Sequence, residues 1–224
     1  MNIGVWNWQL ASEVFPLLLE GLKLTVGATV VGSVIAYVLG LVFAVLRMSP
    51  IKAVSTVVYW IVEFIRTTPL IVQLFFLFFV LTDFGITLSP FVAGVIGLGL
   101  HYAAYTSEVY RAGIQGVPTG QWEATRALSL PPGRAWMGVI LPQAIPKVLP
   151  ALGNYTIAMF KETPLLIAIG VTEMVAAARN FGDANFRSVE AFTLTGLLFL
   201  VLSIAAALLV QLLERNLGKQ QRTS

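Results

Sequence analysis

The amino-acid sequence predicts an all-α membrane protein with five transmembrane helices and one short cytosolic helix. Of its 224 residues, 57% are hydrophobic and 11% are charged, and the mean hydropathy is +0.83. A soluble domain carries roughly 25% charged residues. Two charge-free runs, 26–46 and 191–213, each reach the roughly 20 residues that cross a bilayer. The stretch 121–144 is instead polar and broken by prolines, which does not suit a lipid environment. From the composition and the length of the chain we expect a single membrane domain over residues 1–224.

Apolar segments of membrane-spanning length recur along the chain. The first begins with an amphipathic turn, in which Glu20 and Lys23 lie opposite Phe15 and several leucines. Such a turn suits the membrane interface. The predicted spans are about 14–46, 53–81, 90–110, 147–170 and 191–213. Between the third and the fourth span we expect a short helix at about 120–130.

The basic residues predict how these spans are oriented. Cytosolic loops of membrane proteins carry an excess of Lys and Arg. Nine basic residues fall on one predicted side: Arg47, Lys52, Arg111, Arg126, Arg134, Lys147, Arg215, Lys219 and Arg222. Four fall on the other side: Lys23, Lys161, Arg179 and Arg187. We therefore expect the N-terminus outside the cell, and the short helix and the C-terminus in the cytosol.

Glu63 and Arg66 lie deep in the second predicted span, within EFIRTTPLIVQLFF. A charge at the bilayer centre costs at least ~2.5 kcal/mol on insertion scales. Either the two side chains form an i,i+3 ion pair within the helix bundle, or they face a water-filled cavity and meet a charged solute. Thr67, Thr68 and Pro69 favour a cavity, because a proline frees backbone carbonyls that need a polar lining.

Lys161 and Glu162, followed by Thr163 and a proline, repeat this pattern in the fourth predicted span. At 1.5 Å per residue, both charged pairs reach similar depths, roughly 20 Å from the cytosolic end. Two matched kinks at one level predict a shared polar chamber that offers a cation and an anion to a zwitterion. In the alternative, the four charges pair among themselves and the chamber is structural.

The remaining polar residues argue against several classes of function. His101 is the one histidine and there is no cysteine, so we expect no metal site. We expect His101 and the Glu108–Arg111 pair to be structural. The chain contains no phosphate-binding GxxxxGK[ST] loop, no GxSxG motif and no catalytic carboxylate pair. We therefore expect no enzymatic activity and no cofactor. In a membrane protein, basic residues indicate how the chain is oriented in the membrane. We therefore do not take the net charge of +3 as a sign of nucleic-acid binding.

Residues 121–130 have the features of a short surface helix. Thr119 or Gly120 is a suitable N-cap, and Glu123 in the first turn favours the positive end of the helix dipole. A Pro-Pro-Gly sequence at 131–133 ends the helix. Proline boundaries and surface charges predict a rigid docking element rather than a span.

This helix and the residues after it resemble the permease subunits of bacterial ABC importers. The shared pattern of that family is EAA, three residues, Gly, nine residues, Ile, one residue and Leu-Pro. This chain matches the spacing, with Thr, Ser and Val replacing the second Ala, the Gly and the Ile. The matching residues are Glu123, Ala124, Thr125, Ser129, Val139, Leu141 and Pro142.

Four blocks narrow the resemblance to the polar amino-acid uptake subfamily, which includes the histidine, glutamine and arginine permeases. The blocks are EFIRTTPLIVQLFF, YTSEVYRAGIQGVPTGQWEA, LPQAIPKVLPALGN and FKETPLLIAIGVTEM. The segments GLGLHYAAYTSEVYRAGI and MFKETPLL are also similar to permeases for ectoine and hydroxyectoine. Ectoine is a small zwitterion, which would suit a chamber of mixed charge.

The resemblance implies the type I ABC importer permease fold, in the bacterial cytoplasmic membrane. It implies two ATP-binding cassette subunits, an extracytoplasmic solute-binding protein, and a second permease copy or a paralogue. The implied docking residues for the ATPase are Glu123, Ala124, Thr125, Arg126, Ala127, Leu128 and Ser129. Of these, the small residues are expected to fill a tight socket. The expected substrate pathway comprises Glu63, Arg66, Thr67, Thr68, Lys161, Glu162 and Thr163.

The leading hypothesis is a permease subunit that moves a polar amino acid or an ectoine-like zwitterion, driven by ATP hydrolysis in a partner. An importer of an opine or another amino-acid derivative is the nearest alternative. A membrane scaffold or sensor would hold a partner on the cytosolic helix without transport, but would have little reason to bear intramembrane charges. An intramembrane enzyme would need a catalytic set, and none is recognisable.

Overall fold

The computed structural model describes residues 6–220, and these form helices without a strand, as predicted. The predicted orientation depends in part on the first residues of the chain, on Arg222 and on the side chain of Lys219. These lie outside the described part of the structure. The helices are α1 (Trp8–Arg47), α2 (Lys52–Thr67), α3 (Leu70–Asp83), α4 (Pro90–Gln115), α5 (Thr119–Ala127), α6 (Pro132–Ile169), α7 (Met174–Asn185) and α8 (Val189–Gln220).

Three helices of the described chain are long and apolar enough to cross a membrane: α1, α6 and the Val189–Leu212 part of α8. A fourth span exists if α2 and α3 are counted together, although they meet at an angle of 104°. α4 has the required length, with 26 residues, but Gly, His, Tyr and Thr residues dilute its apolar character. The count of five spans therefore stays a prediction.

The predicted second span, 53–81, is broken in the middle rather than continuous. α2 ends at Thr67, and Pro69 caps α3 with an extended backbone, at φ −56° and ψ 137°. Proline lacks an N–H and disfavours helical geometry in the residue before it, which explains the break. α3 then contains a π-helical turn at Phe76–Val80.

The predicted fourth span, 147–170, belongs to a longer helix that begins at Pro132. α6 contains a π-helical turn at Trp136–Ile140, and it continues through Pro146 and Pro150. It tightens into a 3₁₀ helix at Thr163–Ile169 and ends at Gly170, whose φ of +85° suits a residue without a side chain. The sequence treated this proline-rich stretch as a connection, whereas the structure makes it helical.

The described residues divide into two compact units. The first unit comprises Met1–Val34, Thr68–Gly99 and Thr156–Ala206, and the second comprises Ile35–Thr67, Leu100–Tyr155 and Ala207–Ser224, each as far as it is described. α1, α4, α6 and α8 each contribute residues to both units. The prediction of a single membrane domain stays a prediction.

The core of the first unit holds α7 against α1. It is built from Val14, Leu18, Met174, Ala177, Ala178 and Ala191. A Cβ at Gly21 would lie 2.8 Å from the Cα of Met174, so only glycine lets the two backbones approach this closely. The predicted spans leave residues 171–190 as a connection, and α7 was not predicted. Its buried face consists of one methionine, three alanines and one glycine, so it lacks the row of large apolar side chains that marks an amphipathic helix.

Glu173 fixes the start of α7. Its carboxylate is fully buried and accepts hydrogen bonds from the N–H groups of Val175, at 3.0 Å, and Ala176, at 2.7 Å. Burial raises the pKa of Glu173, while these N–H groups and Thr25 act in the opposite direction. The capping bonds satisfy two of the donors that a helix start leaves free.

The second unit has a separate core around α5. It consists of Ile114, Val117, Ile140 and Ala144, with Met48, Trp122, Trp136 and Val139 packed at its edge. The Trp122 and Trp136 rings meet edge to face, with their centroids 5.4 Å apart. This geometry is a favourable one for aromatic pairs and anchors α5 to the start of α6.

Candidate functional site

The predicted cytosolic helix is present as α5. It spans Thr119–Ala127, whereas the sequence predicted about 120–130. Its N-cap is Pro118, not Thr119 or Gly120, and no side chain caps the first turn. Proline is suited to this position because its fixed φ leads into a helix and its missing N–H loses nothing there.

A tight turn at Ser129 ends the helix three residues earlier than predicted. Ser129 has a φ of +49°, and its N–H donates to the Arg126 carbonyl at 2.9 Å. The N–H of Leu130 donates to the Thr125 carbonyl at 3.0 Å. These two bonds form a Schellman motif, which normally has glycine at the left-handed residue. Serine at that residue costs about 1–2 kcal/mol.

Of the seven predicted docking residues, six are exposed to solvent and one is buried. Thr125 is 5% exposed, and its hydroxyl donates to the Trp122 carbonyl at 2.8 Å. The other six are exposed: Glu123, Ala124, Arg126, Ala127, Leu128 and Ser129. Leu128 is 71% exposed. Thr125 therefore packs within its own chain, and the docking role of these residues stays a prediction.

Two further polar contacts brace α5 and the turn before it. The Gln143 amide on α6 donates to the Gln121 side chain at 3.1 Å. The ammonium group of Lys147 donates to the Gly116 carbonyl at 2.7 Å. With the paired tryptophans, these contacts hold α5 and the turn before it against α6. That α5 is a rigid docking element stays a prediction.

Glu63 and Arg66 lie in the second unit and form an i,i+3 ion pair, one of the two alternatives that the sequence left open. Their Oε1 and Nη1 atoms are 3.0 Å apart. Arg66 also lies 3.9 Å from Glu108, which pairs with Arg111 at 2.7 Å and with Arg47. The Glu108–Arg111 pair was predicted to be structural and is formed. The pairing of Arg47 with Glu108 was not predicted, because Arg47 was treated as a loop residue at the end of a span.

Aromatic rings cover this charge cluster. The Arg66 guanidinium lies 5.5 Å from the centre of the Tyr105 ring, and Arg47 lies 5.1 Å from that of Tyr59. The Tyr105 hydroxyl also donates to the Arg66 carbonyl at 3.3 Å. Such cation–π contacts stabilise arginines that are withdrawn from water. His101 is buried beside this group, with its ring 5.2 Å from that of Tyr105.

Of the two threonines after Arg66, Thr67 is the last residue of α2 and Thr68 lies in the break before α3. The Thr67 hydroxyl donates to the carbonyl of Glu63 in its own helix, at 2.8 Å. The Thr68 carbonyl accepts a hydrogen bond from the side chain of Gln73, at 2.9 Å. Gln73 thus donates a hydrogen bond to a carbonyl that the helix break leaves free. From Pro69 we had predicted that such a carbonyl would need a polar partner.

Lys161, Glu162 and Thr163 lie in the first unit. Thr163 is fully buried and donates to the Phe160 carbonyl at 2.8 Å, so its hydroxyl is committed to the helix. The Oε2 atom of Glu162 is buried and has no hydrogen-bond partner among the described residues. Within this unit, no described side chain forms an ion pair with Lys161 or Glu162.

Lys161 lines a cleft of about 450 Å³ between α6, α7 and α8. The other residues around it are mostly apolar, including Val175, Phe192 and Phe199. Glu162 does not line this cleft, so the two adjacent charges do not share it. The expected substrate residues therefore fall in both units, and the chamber that would join them stays a prediction. No group of three or more acidic or histidine side chains in residues 6–220 is arranged to hold a metal ion.

Comparison with known proteins identifies the family. Residues 36–219 match the family model described as the inner membrane component of binding-protein-dependent transport systems. A probable amino-acid ABC transporter permease protein of Sinorhizobium fredii, y4tG, is 46% identical over 210 residues, covering 94% of this chain and 91% of the relative. The nopaline transport system permease protein NocM of Agrobacterium fabrum is 34% identical, covering 96% of this chain and 93% of its own length.

A solved structure gives the same fold. A chain in the crystal structure of an amino acid ABC transporter with histidines superposes with a TM-score of 0.88 and 35% sequence identity, covering 95% of this chain and 99% of that one. Together with the apolar helices, these likenesses make the protein a multi-pass component of the inner membrane. The chain belongs to the family of inner membrane components of binding-protein-dependent transport systems.

Proposed function

We propose that this chain is the permease subunit of an ATP-driven importer for a polar amino acid or a related zwitterion. The observation that carries the proposal is Glu162, whose buried Oε2 atom has no hydrogen-bond partner among the described residues. A buried carboxylate oxygen without a partner is unfavourable unless a ligand supplies the missing contact. A solute with an ammonium group would supply it. The amino-acid permeases among the relatives support this class of solute.

The proposal includes the partners that the family implies. Two ATP-binding cassette subunits would hydrolyse ATP, a solute-binding protein would deliver the solute, and a second copy or a paralogue would complete the pore. Glu123 and Arg126 on α5 and Leu128 directly after it are exposed, and we assign the ATPase contact to these residues. The N-terminus would lie outside and the C-terminus in the cytosol.

The solute itself has two candidate classes. An ectoine-like zwitterion fits the mixed charges of Glu63, Arg66, Lys161 and Glu162. The likeness to a nopaline permease favours an opine instead. Uptake by proteoliposomes that contain the complete transporter decides between them, with labelled arginine, glutamine, ectoine and nopaline as solutes. Assembly with the ATPase without uptake of any amino acid or zwitterion would support the scaffold alternative.

The docking role of α5 has its own test. Glu123→Lys reverses an exposed charge on this face and is expected to uncouple ATP hydrolysis from uptake while the protein still inserts. Glu214→Lys makes the same charge change at an exposed residue of α8 and serves as the control. Normal uptake by the Glu123→Lys transporter would overturn the docking role.

A further inference from the structure

A cleft in the second unit is lined by arginines and hydroxyl groups. It has a volume of about 550 Å³, and its wall includes Arg47, Ser55, Thr56, Tyr59 and Arg111. Small-molecule sites in proteins have volumes of roughly 300–1,000 Å³. The cleft is therefore large enough for a polar group of moderate size, and it does not contain any of the expected substrate residues.

The charge cluster beside this cleft has more cations than anions. Three arginines, Arg47, Arg66 and Arg111, share two carboxylates, Glu63 and Glu108. The cluster therefore carries one net positive charge. The arginine side chains are between 11% and 34% exposed, so water screens this charge only in part. A partly desolvated cation without a counter-charge is unfavourable, which makes an anion the expected occupant.

The arginines on the cleft wall are held in position by their ion pairs. Nε and Nη2 of Arg111 donate to Glu108 at 3.0 Å and 2.7 Å, and Nη1 donates to the Gln115 side chain at 2.9 Å. A guanidinium has five N–H donors, so these contacts orient Arg111 and leave N–H groups for a ligand. Hydroxyls of Thr56 and Tyr59 add donors. Fixed guanidinium groups with nearby hydroxyls suit a phosphate.

The cleft lies where a membrane-spanning helix ends. Arg47 is the last residue of α1, and α2 begins five residues later at Lys52. Basic residues at such a point lie at the level of the lipid headgroups and attract anionic lipids. Beyond the cleft, α2 exposes apolar side chains, including Val57 at 58% and Trp60 at 65%. That surface suits acyl chains, and tryptophan is common at the membrane interface.

We propose that this cleft binds the phosphate headgroup of one anionic phospholipid, whose acyl chains lie along the exposed face of α2. Arg47 and Arg111 supply the positive charge, and Thr56 and Tyr59 supply hydroxyl donors. No residue of the proposed solute pathway lines the cleft, and the cleft is at a membrane surface whichever way the chain is oriented.

Opposite charge changes at one exposed residue test the site. Thr56 lies on the cleft wall, outside the arginine–carboxylate pairs. Thr56→Glu is expected to weaken the binding of phosphatidylglycerol about tenfold, and Thr56→Lys is expected to strengthen it. Damage to the fold would lower binding in both variants, so the opposite signs distinguish electrostatics from misfolding. Thr119→Glu is the matched control, because Thr119 is exposed on α5 and lies away from the cleft wall.

The measurement is native mass spectrometry of the whole protein in an uncharged detergent, titrated separately with phosphatidylglycerol, phosphatidylcholine and inorganic phosphate. The proposal expects one tightly retained phosphatidylglycerol and weaker phosphatidylcholine. Equal retention of the two lipids, or unchanged binding in Thr56→Glu, would overturn it. If inorganic phosphate alone binds as tightly and displaces the lipid, the cleft is a phosphate site and the lipid assignment is wrong.

Discussion

Two charged pairs of this chain look alike in sequence and differ in the structure. Glu63 and Arg66 precede Thr-Thr-Pro, and Lys161 and Glu162 precede Thr-Pro. In the second unit, Glu63 and Arg66 pair with each other and join the Glu108 cluster. In the first unit, Lys161 lines a cleft, and the buried Oε2 atom of Glu162 has no hydrogen-bond partner in the part of the chain that the structure describes.

The spacing of the residues explains this difference. Residues three positions apart lie on one helix face, so Glu63 and Arg66 meet within a single helix. Adjacent residues point in different directions, so Lys161 and Glu162 do not pair. A charge that is paired inside its own unit contributes to stability. A buried charge without such a partner lowers stability and is available to a ligand.

The largest effect is expected at Glu162. Glu162→Gln removes the charge but keeps the shape, and we expect uptake to fall about 30-fold or more, the usual cost of losing one partner of a buried charged contact. The melting temperature in detergent should stay the same or rise, because the substitution removes a charge whose buried oxygen has no partner among the described residues. The measurements are solute uptake by the reconstituted transporter and thermal unfolding. Glu20→Gln, at an exposed glutamate of the same unit, is the control.

If Glu162→Gln lowers stability without lowering uptake, the proposed difference between the two charged pairs is wrong. That result would mean that Glu162 has a structural partner and that the proposed solute contact is wrong.

An intermediate effect is expected at Glu108. Glu108→Gln leaves Arg47, Arg66 and Arg111 with one remaining carboxylate, so their mutual repulsion increases. We expect a loss of about 2 kcal/mol in the free energy of unfolding, below the full cost for a buried pair because water screens part of the cluster. The melting temperature should fall by roughly 4–8 °C. An unchanged melting temperature would contradict the structural role of this cluster.

The smallest effect is expected at Glu63. After Glu63→Gln, Arg66 still lies 3.9 Å from Glu108, so the arginine keeps one acidic neighbour. The expected loss is about 0.5–1 kcal/mol, typical of a partly exposed ion pair. Thermal unfolding of Glu63→Gln, Glu108→Gln and the double variant measures how strongly the two carboxylates are coupled. Additive losses would indicate that they act independently.

Sequence reasoning located the polar elements well and their packing poorly. Pro69 predicted a freed carbonyl, because proline removes a donor whatever surrounds it, and Gln73 satisfies that carbonyl. Sequence reasoning left Pro146 in a connection and began the fourth span at residue 147, whereas α6 starts at Pro132 and runs through both Pro146 and Pro150. The sequence shows that Ser129 replaces the glycine of the family pattern. Only the structure shows that Ser129 nevertheless adopts the left-handed backbone conformation.

The sequence by itself determined the properties that depend on composition and short-range spacing. These are the helical membrane class and the short helix near Glu123, since hydrophobicity and helix-ending residues need no knowledge of distant residues. Only the tertiary structure decided which side chains are buried and which have partners. It formed the Glu63–Arg66 ion pair, turned Thr125 inward and brought Arg47 to Glu108 across 61 positions of chain. It also left a Glu162 oxygen without a hydrogen-bond partner among the described residues. Burial and long-range pairing arise when separate helices pack, and local sequence does not encode them.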